Sequence, residues 1–340
     1  MTQLAERPAP APPAAPGLNR RGGGIVSDRI FWLVSLTAGL LVLAILALIL
    51  FTTLKEAWPA LQYSGLDFIT KSTWIPNDPD GSGPAGPTFG ALSFIYGTVI
   101  VSLVALIFAV PVSIGIALFL TELAPPRLRS AVITVIDLLA AVPSVVFGLW
   151  GIIVAGPFLV KVYDWLHGLL GGVPVLGSLF GEPVSSGRVF ATAGLIVGIM
   201  IIPIITSITR EVFSTVPQSE KHAALALGAT RWEMIKGAVF PHSFGGMVGA
   251  VMLGLGRAMG ETIAVALTIG AAIQISPNLF AGGHALPAVI ALNWGDPGVP
   301  PGRSALVACG VILFVITIIV NYGARIVVRR AEIRMKGAAG

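Results

Sequence analysis

Apolar residues run almost unbroken over 30–54 and again over about 92–120, 131–160, 189–208, 246–273 and 305–324. Each run reaches or exceeds the roughly 18 to 20 residues that a helix needs to cross a hydrocarbon core, so the pattern predicts six membrane-spanning helices. The runs at 92–120 and 131–160 are longer than a straight crossing requires, which tilt or interfacial extension would absorb. Pro111, Pro143 and Pro203 each fall inside a predicted span, where proline frees a backbone carbonyl and kinks the helix. The kinks serve either as hinges or polar lining, or as simple helix curvature. The first run is too long and lacks the small-residue cleavage site of a signal peptide, so 30–54 is read as a retained span.

Between the apolar runs the composition changes. Residues 1–29 are rich in Pro, Ala and Gly, bury too little apolar surface to offset ordering, and are expected to be a disordered cytoplasmic tail. Residues 55–91 form an expected external loop, flanked by Trp58 and Trp74 and containing NDPDGSGPAGP at 77–87, where that density of Pro and Gly stops helix and strand alike. Residues 92–325 make the core domain and 326–340 a basic cytoplasmic tail.

Composition agrees with this pattern. Of 340 residues 55% are hydrophobic and 11% charged, far below the usual quarter for soluble domains, so the fold class is an all-α polytopic membrane protein. One cysteine, Cys309, excludes an internal disulfide and a multi-cysteine metal site. His167, His242 and His284 have no metal-ligand spacing and are read as non-ligands, so no metal is expected. The net charge of +5 would suit nucleic acid, but its distribution decides against that. With the N-terminus inside, inner segments hold Arg7, Arg20, Arg21, Arg29, Arg127, Arg129, Arg210, Lys221, Arg231, Lys236, Arg325 and the basic tail, whereas outer segments hold Lys55, Lys71, Lys161, Arg188 and Arg303. The excess is roughly threefold and sets orientation: both termini cytoplasmic.

That orientation puts 219–241 in the cytoplasm. The segment carries small and apolar residues, Ala223, Ala224, Leu227, Ala238 and Val239, with Gly228 between two short helical stretches. Two short helices against the membrane surface, open to close approach by another protein, are one reading; an ordinary amphipathic connection is the other, with equal weight. The next run, 245–272, is Gly-rich and carries Arg257 and Glu261. An intramembrane ionisable residue costs about 2.5 to 3.5 kcal/mol on insertion scales and marks a functional site by default. Placed about 11 residues into a span starting near Gly246, Arg257 is expected roughly 16 Å deep, close to the bilayer centre. Four residues apart on a helix, Arg257 and Glu261 would share a face and pair. Such a pair either fixes packing alone or lines a substrate pathway, with the arginine fork offered to anionic oxygens.

The glycines of this run make small-residue rows. Ala250, Gly254 and Ala258 form one and Gly256, Gly260 and Ala264 another, permitting close helix contacts on both sides. GLGRAMG (254–260) departs from G-x-G-x-x-G and follows no strand, so it is not read as a dinucleotide loop. Asp137, in the predicted third span, either faces the pathway or makes a polar contact near the inner interface; Ser144, beside Pro143, is a weaker pathway candidate.

The stretch HAALALGATRWEMIKGAVFP (222–241) resembles the EAA loop of binding-protein-dependent ABC importer permeases, with Ala223, Ala224, Gly228 and Pro241 on matching positions. His222 stands where that pattern has glutamate, and Phe240 where it has leucine. GLGRAMGET (254–262) and DLLAAVPSVVFGLWG (137–151) resemble the permease subunits of the phosphate-specific importer, and the long loop after the first span favours the PstC-type half over its PstA-type partner. The resemblance covers roughly 88–325. It implies a type I permease architecture in a bacterial inner membrane, with the 219–241 helices, including His222, seated in a cytoplasmic ATPase. It also implies a second homologous permease subunit, two ATPase copies, an external phosphate-binding protein and surrounding lipid as partners. No catalytic residue or cofactor is implied for this chain, which lacks G-x-x-x-x-G-K-[ST]. A permease for sulfate or molybdate, a proton-coupled secondary transporter using Glu261 or Asp137, and a membrane scaffold or sensor are the alternatives.

Overall fold

A computed structural model describes residues 24–77 and 86–337. Most of the tail expected to be disordered, 1–29, and of the 77–87 run lies outside the described residues, as does 338–340. The chain divides into two units, Met1–Thr52 and Thr53–Gly340. Helix α1, Gly24–Ser64, runs through the boundary, and its portion in the first unit is apolar on every face, as a helix solvated by lipid is.

The helix continues ten residues beyond the expected end of the span at 54. Ala57 and Ala60 lie three apart on one face and are fully buried with Phe68, Trp74, Phe89 and Phe94. The expected loop at 55–91 is therefore partly ordered: after α1 the chain makes a two-residue antiparallel pairing, β1 (Trp74–Ile75) with β2 (Thr88–Phe89), Trp74 opposite Phe89. Trp74 packs edge-on to Phe68, Phe89 and Phe94, its ring centroid 5.1 Å from that of Phe89. Aromatic burial orders a segment whose polar composition reads as loop.

Six helices in the described residues are long and apolar enough to cross a membrane: part of α1 (Ser27–Ser64), α2 (Leu92–Leu123), α4 (Ser144–Leu170), α5 (Phe190–Ser214), α7 (Arg231–Gly260) and part of α10 (Gly302–Ile326). The number agrees with the hydropathy pattern, but two boundaries do not. The predicted span at 131–160 is two helices. Pro126–Ala140 is a separate amphipathic helix, α3, closed by a turn at Ala141, and Pro143 in the extended conformation (φ −61°, ψ 142°) starts α4. Pro143 is thus a helix start and not a mid-span kink, because its fixed φ and missing N–H suit a first turn. Pro111 and Pro203 do lie inside α2 and α5. Lys161, expected outside, falls within α4.

The predicted span at 246–273 also differs. Its helix begins much earlier, at Arg231, and stops at Gly260. A short helix follows, α8 (Ile263–Thr268), then extended chain, then α9 (Leu286–Asn293) before α10 (Gly302–Gly337). Irregular backbone at this depth survives only where protein satisfies its polar groups, and it does so here. Gly283 N–H donates to Ile269 O at 2.8 Å, and Ala272 N–H to Gly283 O at 2.9 Å. Arg188 Nε donates to Leu267 O at 3.0 Å, and Leu286 N–H to Thr98 Oγ1 at 2.9 Å. Beside Thr98, a Cβ on Gly97 would overlap the His284 carbonyl, so only glycine lets α2 accept this segment.

Helix α5 is the centre of the second unit: 67% of its apolar window is buried, against 28% for α2, α4, α7 and α10. Small residues let the backbones close. A Cβ on Gly194 would press on Val104 of α2, and one on Gly254 would lie 2.7 Å from Ile205 of α5. Ala105, Ala109, Ala193, Ala250 and Ala258 fill the same core. Where lipid supplies no hydrophobic drive, this close packing is what holds helices together.

The two faces of α7 should respond differently to one substitution. Gly254→Leu must displace Ile205 and is expected to cost about 1 to 3 kcal/mol by overpacking. Gly256→Leu, whose Cβ meets nothing within 4 Å, should stay within about 0.5 kcal/mol of the parent. Denaturation midpoints of the detergent-solubilised chain check this; equal losses at the two positions would contradict the assignment of faces.

Candidate functional site

Helix α7 joins the two sites that sequence singles out. At its start lies the 219–241 segment. Helix α6 (Gln218–Ala226) ends at Leu227, and Gly228 takes φ +86° with open space around it. That left-handed value costs a side-chain-bearing residue about 1 to 2 kcal/mol, so the glycine is what allows the reversal. Thr230 then caps α7: its hydroxyl accepts from Glu233 N–H, and Glu233 Oε2 accepts from Thr230 N–H at 2.8 Å. The second of the two expected short helices is therefore the first turn of α7, not an independent element, and Pro241 sits inside that continuous helix after a π-helical turn at Ile235–Val239.

On α6, His222, Ala223, Leu225 and Leu227 are exposed, the last at 90%, while Ala224 is half-buried. The other face of α6 is held by charge. Lys221 Nζ lies 2.6 Å from Glu122 Oε1 at the end of α2, with the side chains only 8% and 11% exposed. Glu220 lies 3.4 Å from His242 of α7. Sequence reasoning counted Lys221 as a topology charge and did not single out Glu122. The signal was present: an acid within the last residues of an apolar run, just before Pro125 and Pro126.

At the other end of α7, Arg257 and Glu261 are not a pair. The helix stops at Gly260, so Glu261 (φ −69°, ψ 125°) has left the helical path and the shared face that four-residue spacing would supply does not exist. Arg257 is exposed and Glu261 is buried. Glu261 turns inward, its Oε1 accepting the Ala264 N–H of α8 at 3.4 Å. Among the described residues neither has an ion-pair partner within 4 Å. Arg257 also sits in the last turn of α7, not mid-helix as expected, where the negative end of the helix dipole favours a cation.

Arg257 opens onto a groove of about 600 Å³ between α7 and α10, lined by Gly245, Gly249, Gly256 and Met252 on one side and by Asn321 and Arg325 on the other. No acidic residue lines it. The two small-residue rows consequently do different things. Ala250, Gly254 and Ala258 pack against α5 within the chain. Gly256 and Gly260 meet nothing within 4 Å, and Ala264, expected in their row, is buried on α8 beyond the break.

Asp137 is not in a span. It is exposed on α3, beside a narrow cleft shared with Thr206, Ser207 and Arg210, because the break at Ala141–Pro143 detaches α3 from α4. Ser144 is half-buried at the first position of α4. Neither Asp137 nor Ser144 lines the Arg257 groove.

Residues 109–333 match the family model described as binding-protein-dependent transport system inner membrane component. The chain is 41% identical over 311 residues to the phosphate transport system permease protein PstC of Mesorhizobium japonicum, covering 91% of this chain and 92% of that one. The PstC protein of Xylella fastidiosa is 40% identical over 306 residues, covering 89% and 91%. Among solved structures, a bacterial alginate ABC transporter in complex with alginate pentasaccharide-bound periplasmic protein matches with TM-score 0.52 and 17% identity. It covers 91% of this chain and 99% of that one. At that identity the likeness concerns the fold.

Since Glu261 is buried and hydrogen-bonded while Arg257 is exposed, Glu261→Ala should cost about 1 to 3 kcal/mol and Arg257→Ala less than about 0.5 kcal/mol. The double variant should show the sum of the two losses. Unfolding midpoints of the four proteins in detergent report this; a coupling energy above about 1 kcal/mol would restore the paired arrangement.

Proposed function

The chain belongs to the family of binding-protein-dependent transport system inner membrane components, and we propose that it works as the PstC-type permease subunit of an ATP-driven inorganic phosphate importer. The observation that carries this is likeness at about 40% identity to phosphate permeases along nine-tenths of both chains. It is a multi-pass membrane protein of six apolar helices. In this reading both termini and α6 face the cytoplasm, as the lysine and arginine distribution favours.

The groove between α7 and α10 forms one wall of the pathway, and a second homologous permease subunit, of PstA type, supplies the other. Open space at Gly249 and Gly256, between the side chains of Met252 and Leu253, lets the partner's backbone approach. Arg257 presents five donors in a planar fork that matches tetrahedral oxyanions. With no carboxylate beside it, the guanidinium keeps its full attraction for an anion. Its place at a helix end, where backbone carbonyls offset part of the charge, tempers that attraction so that the anion can leave. Glu261 holds the joint between α7 and α8 that sets where the arginine stands. Asp137 and Ser144 have no part in the pathway on this geometry.

The exposed face of α6, with His222 and Ala223, seats in a cleft of a cytoplasmic P-loop ATPase, present in two copies. Ala223 allows the close approach, while Ala224 packs α6 onto the chain's own core. Phosphate arrives from an external binding protein. ATP binding closes the ATPases and pushes α6, which passes the displacement to the helices it touches.

Reconstituted with the second permease, the ATPase and the phosphate-loaded binding protein, the chain should take up phosphate on ATP addition and be indifferent to a protonophore. Arg257→Gln should abolish uptake while the ATPase still co-purifies. Uptake that follows the proton gradient and survives without ATP would overturn the reading.

The docking assignment has its own test. Gly228→Val should leave the chain in the membrane but release the ATPase on purification, whereas Gly228→Asn, which tolerates positive φ, should retain it. Retention of the ATPase by both variants would place the docking surface elsewhere.

A further inference from the structure

We propose that the buried Lys221–Glu122 pair is the joint through which α6 drives α2, and that the two travel as one body through the transport cycle. The inference rests on the reading of α6 as the element an ATPase pushes.

Its physical basis is the mismatch between what this contact costs and what it does for stability. Two charges brought to 8% and 11% exposure at a separation of 2.6 Å each lose several kcal/mol of hydration, and well-packed apolar residues would hold the same surfaces as well or better. An ion pair adds something that apolar contact lacks. Apolar surfaces slide past one another with little change in buried area, whereas a short charge-assisted hydrogen bond weakens steeply with displacement and angle. It therefore fixes register under load.

The receiving end suits that role. Glu122 lies in the π-helical turn Phe119–Leu123 that ends α2, directly before the Pro125–Pro126 stop. Thr121 in the same turn accepts Arg129 Nη2 of α3 at 2.9 Å. A displacement of Lys221 thus reaches α2 and α3 together. The charged link from α6 to α7 is looser, although Ala224 also packs beside Met234, Ile235 and Val239 of α7. Glu220 and His242 are 3.4 Å apart and 46% and 37% exposed, so water screens them, and the covalent connection passes through the open turn at Gly228. Of the two charged contacts of α6, the one to α2 is short and buried and the one to α7 is longer and exposed.

The test uses the full complex in proteoliposomes, with ATP-driven phosphate uptake by the unsubstituted chain as reference. Failure of the transport reading shows in that reference; failure of the joint shows only in the variants. Lys221→Cys and Glu122→Cys are combined in a Cys309→Ser background. Unlinked, the cysteines should leave ATP hydrolysis within about twofold of the reference while uptake falls at least about tenfold, as expected for loss of a buried pair. Joining them with a short bis-maleimide should return uptake to within about twofold of the reference. Reference-level uptake without the link would overturn the proposal, and so would a linked complex that hydrolyses ATP without transport, since α6 and α2 would then have to move apart. If the cysteine chain does not assemble, the exchange Lys221→Glu with Glu122→Lys decides. It should recover at least about half of the uptake that Lys221→Glu alone abolishes, and no recovery overturns the joint.

Discussion

A helix that ends inside an apolar bundle leaves its last carbonyls and the next N–H groups without water, and they must be satisfied by protein. The end of α7 at Gly260 imposes that requirement, and much of the second unit answers it. Glu261 turns inward to receive the Ala264 N–H. Arg188 reaches across to the Leu267 carbonyl at the far end of α8. Thr98 of α2 receives the Leu286 N–H that opens α9. Arg257, in the last turn of α7, meets the negative end of the helix and is left free of any carboxylate among the described residues. A cation exposed in an apolar setting thus follows from where one helix stops.

The same helix ties that cation to the opposite end of the molecule. From Arg231 to Gly260, 30 residues without interruption, α7 is a rod of about 45 Å. Its inner face is fixed to the buried α5 through Ala250, Gly254 and Ala258; its outer face sets Gly249 and Gly256 among Met252, Leu253 and Arg257 over a groove. Small residues are thus filled on one side of α7 and left open on the other. Near its start, α6 meets the rest of the unit through a buried ion pair, an exposed one and the packing of Ala224.

Much of this was legible in the order of residues. Six apolar runs, the lysine and arginine bias, the glycine at 228 and the arginine at 257 each follow from local rules: span length, loop charge, the positive φ open to glycine, and the cost of an intramembrane cation. The number of long apolar helices and the turn at Gly228 agree with the structure, whereas two relations between residues do not. Asp137 read as intramembrane because Ala141–Pro143 is apolar, and hydropathy does not distinguish an apolar break from an apolar helix. Arg257 and Glu261 read as a pair because four-residue spacing presumes a helix that in fact stops between them.

What the sequence determined by itself was therefore which stretches are apolar enough to cross a membrane and where the backbone can reverse, since hydropathy and backbone permissiveness are properties of residues one at a time. The tertiary structure alone decided which charges meet. Lys221 finds Glu122 ninety-nine positions away, Gly254 is filled by Ile205 while Gly256 is left open, and Glu261 faces a backbone amide instead of its neighbour's guanidinium. Those outcomes depend on where helices end and which faces pack. In a bundle, both are set by the summed satisfaction of backbone and side chains from distant segments, a sum that no local stretch of sequence contains.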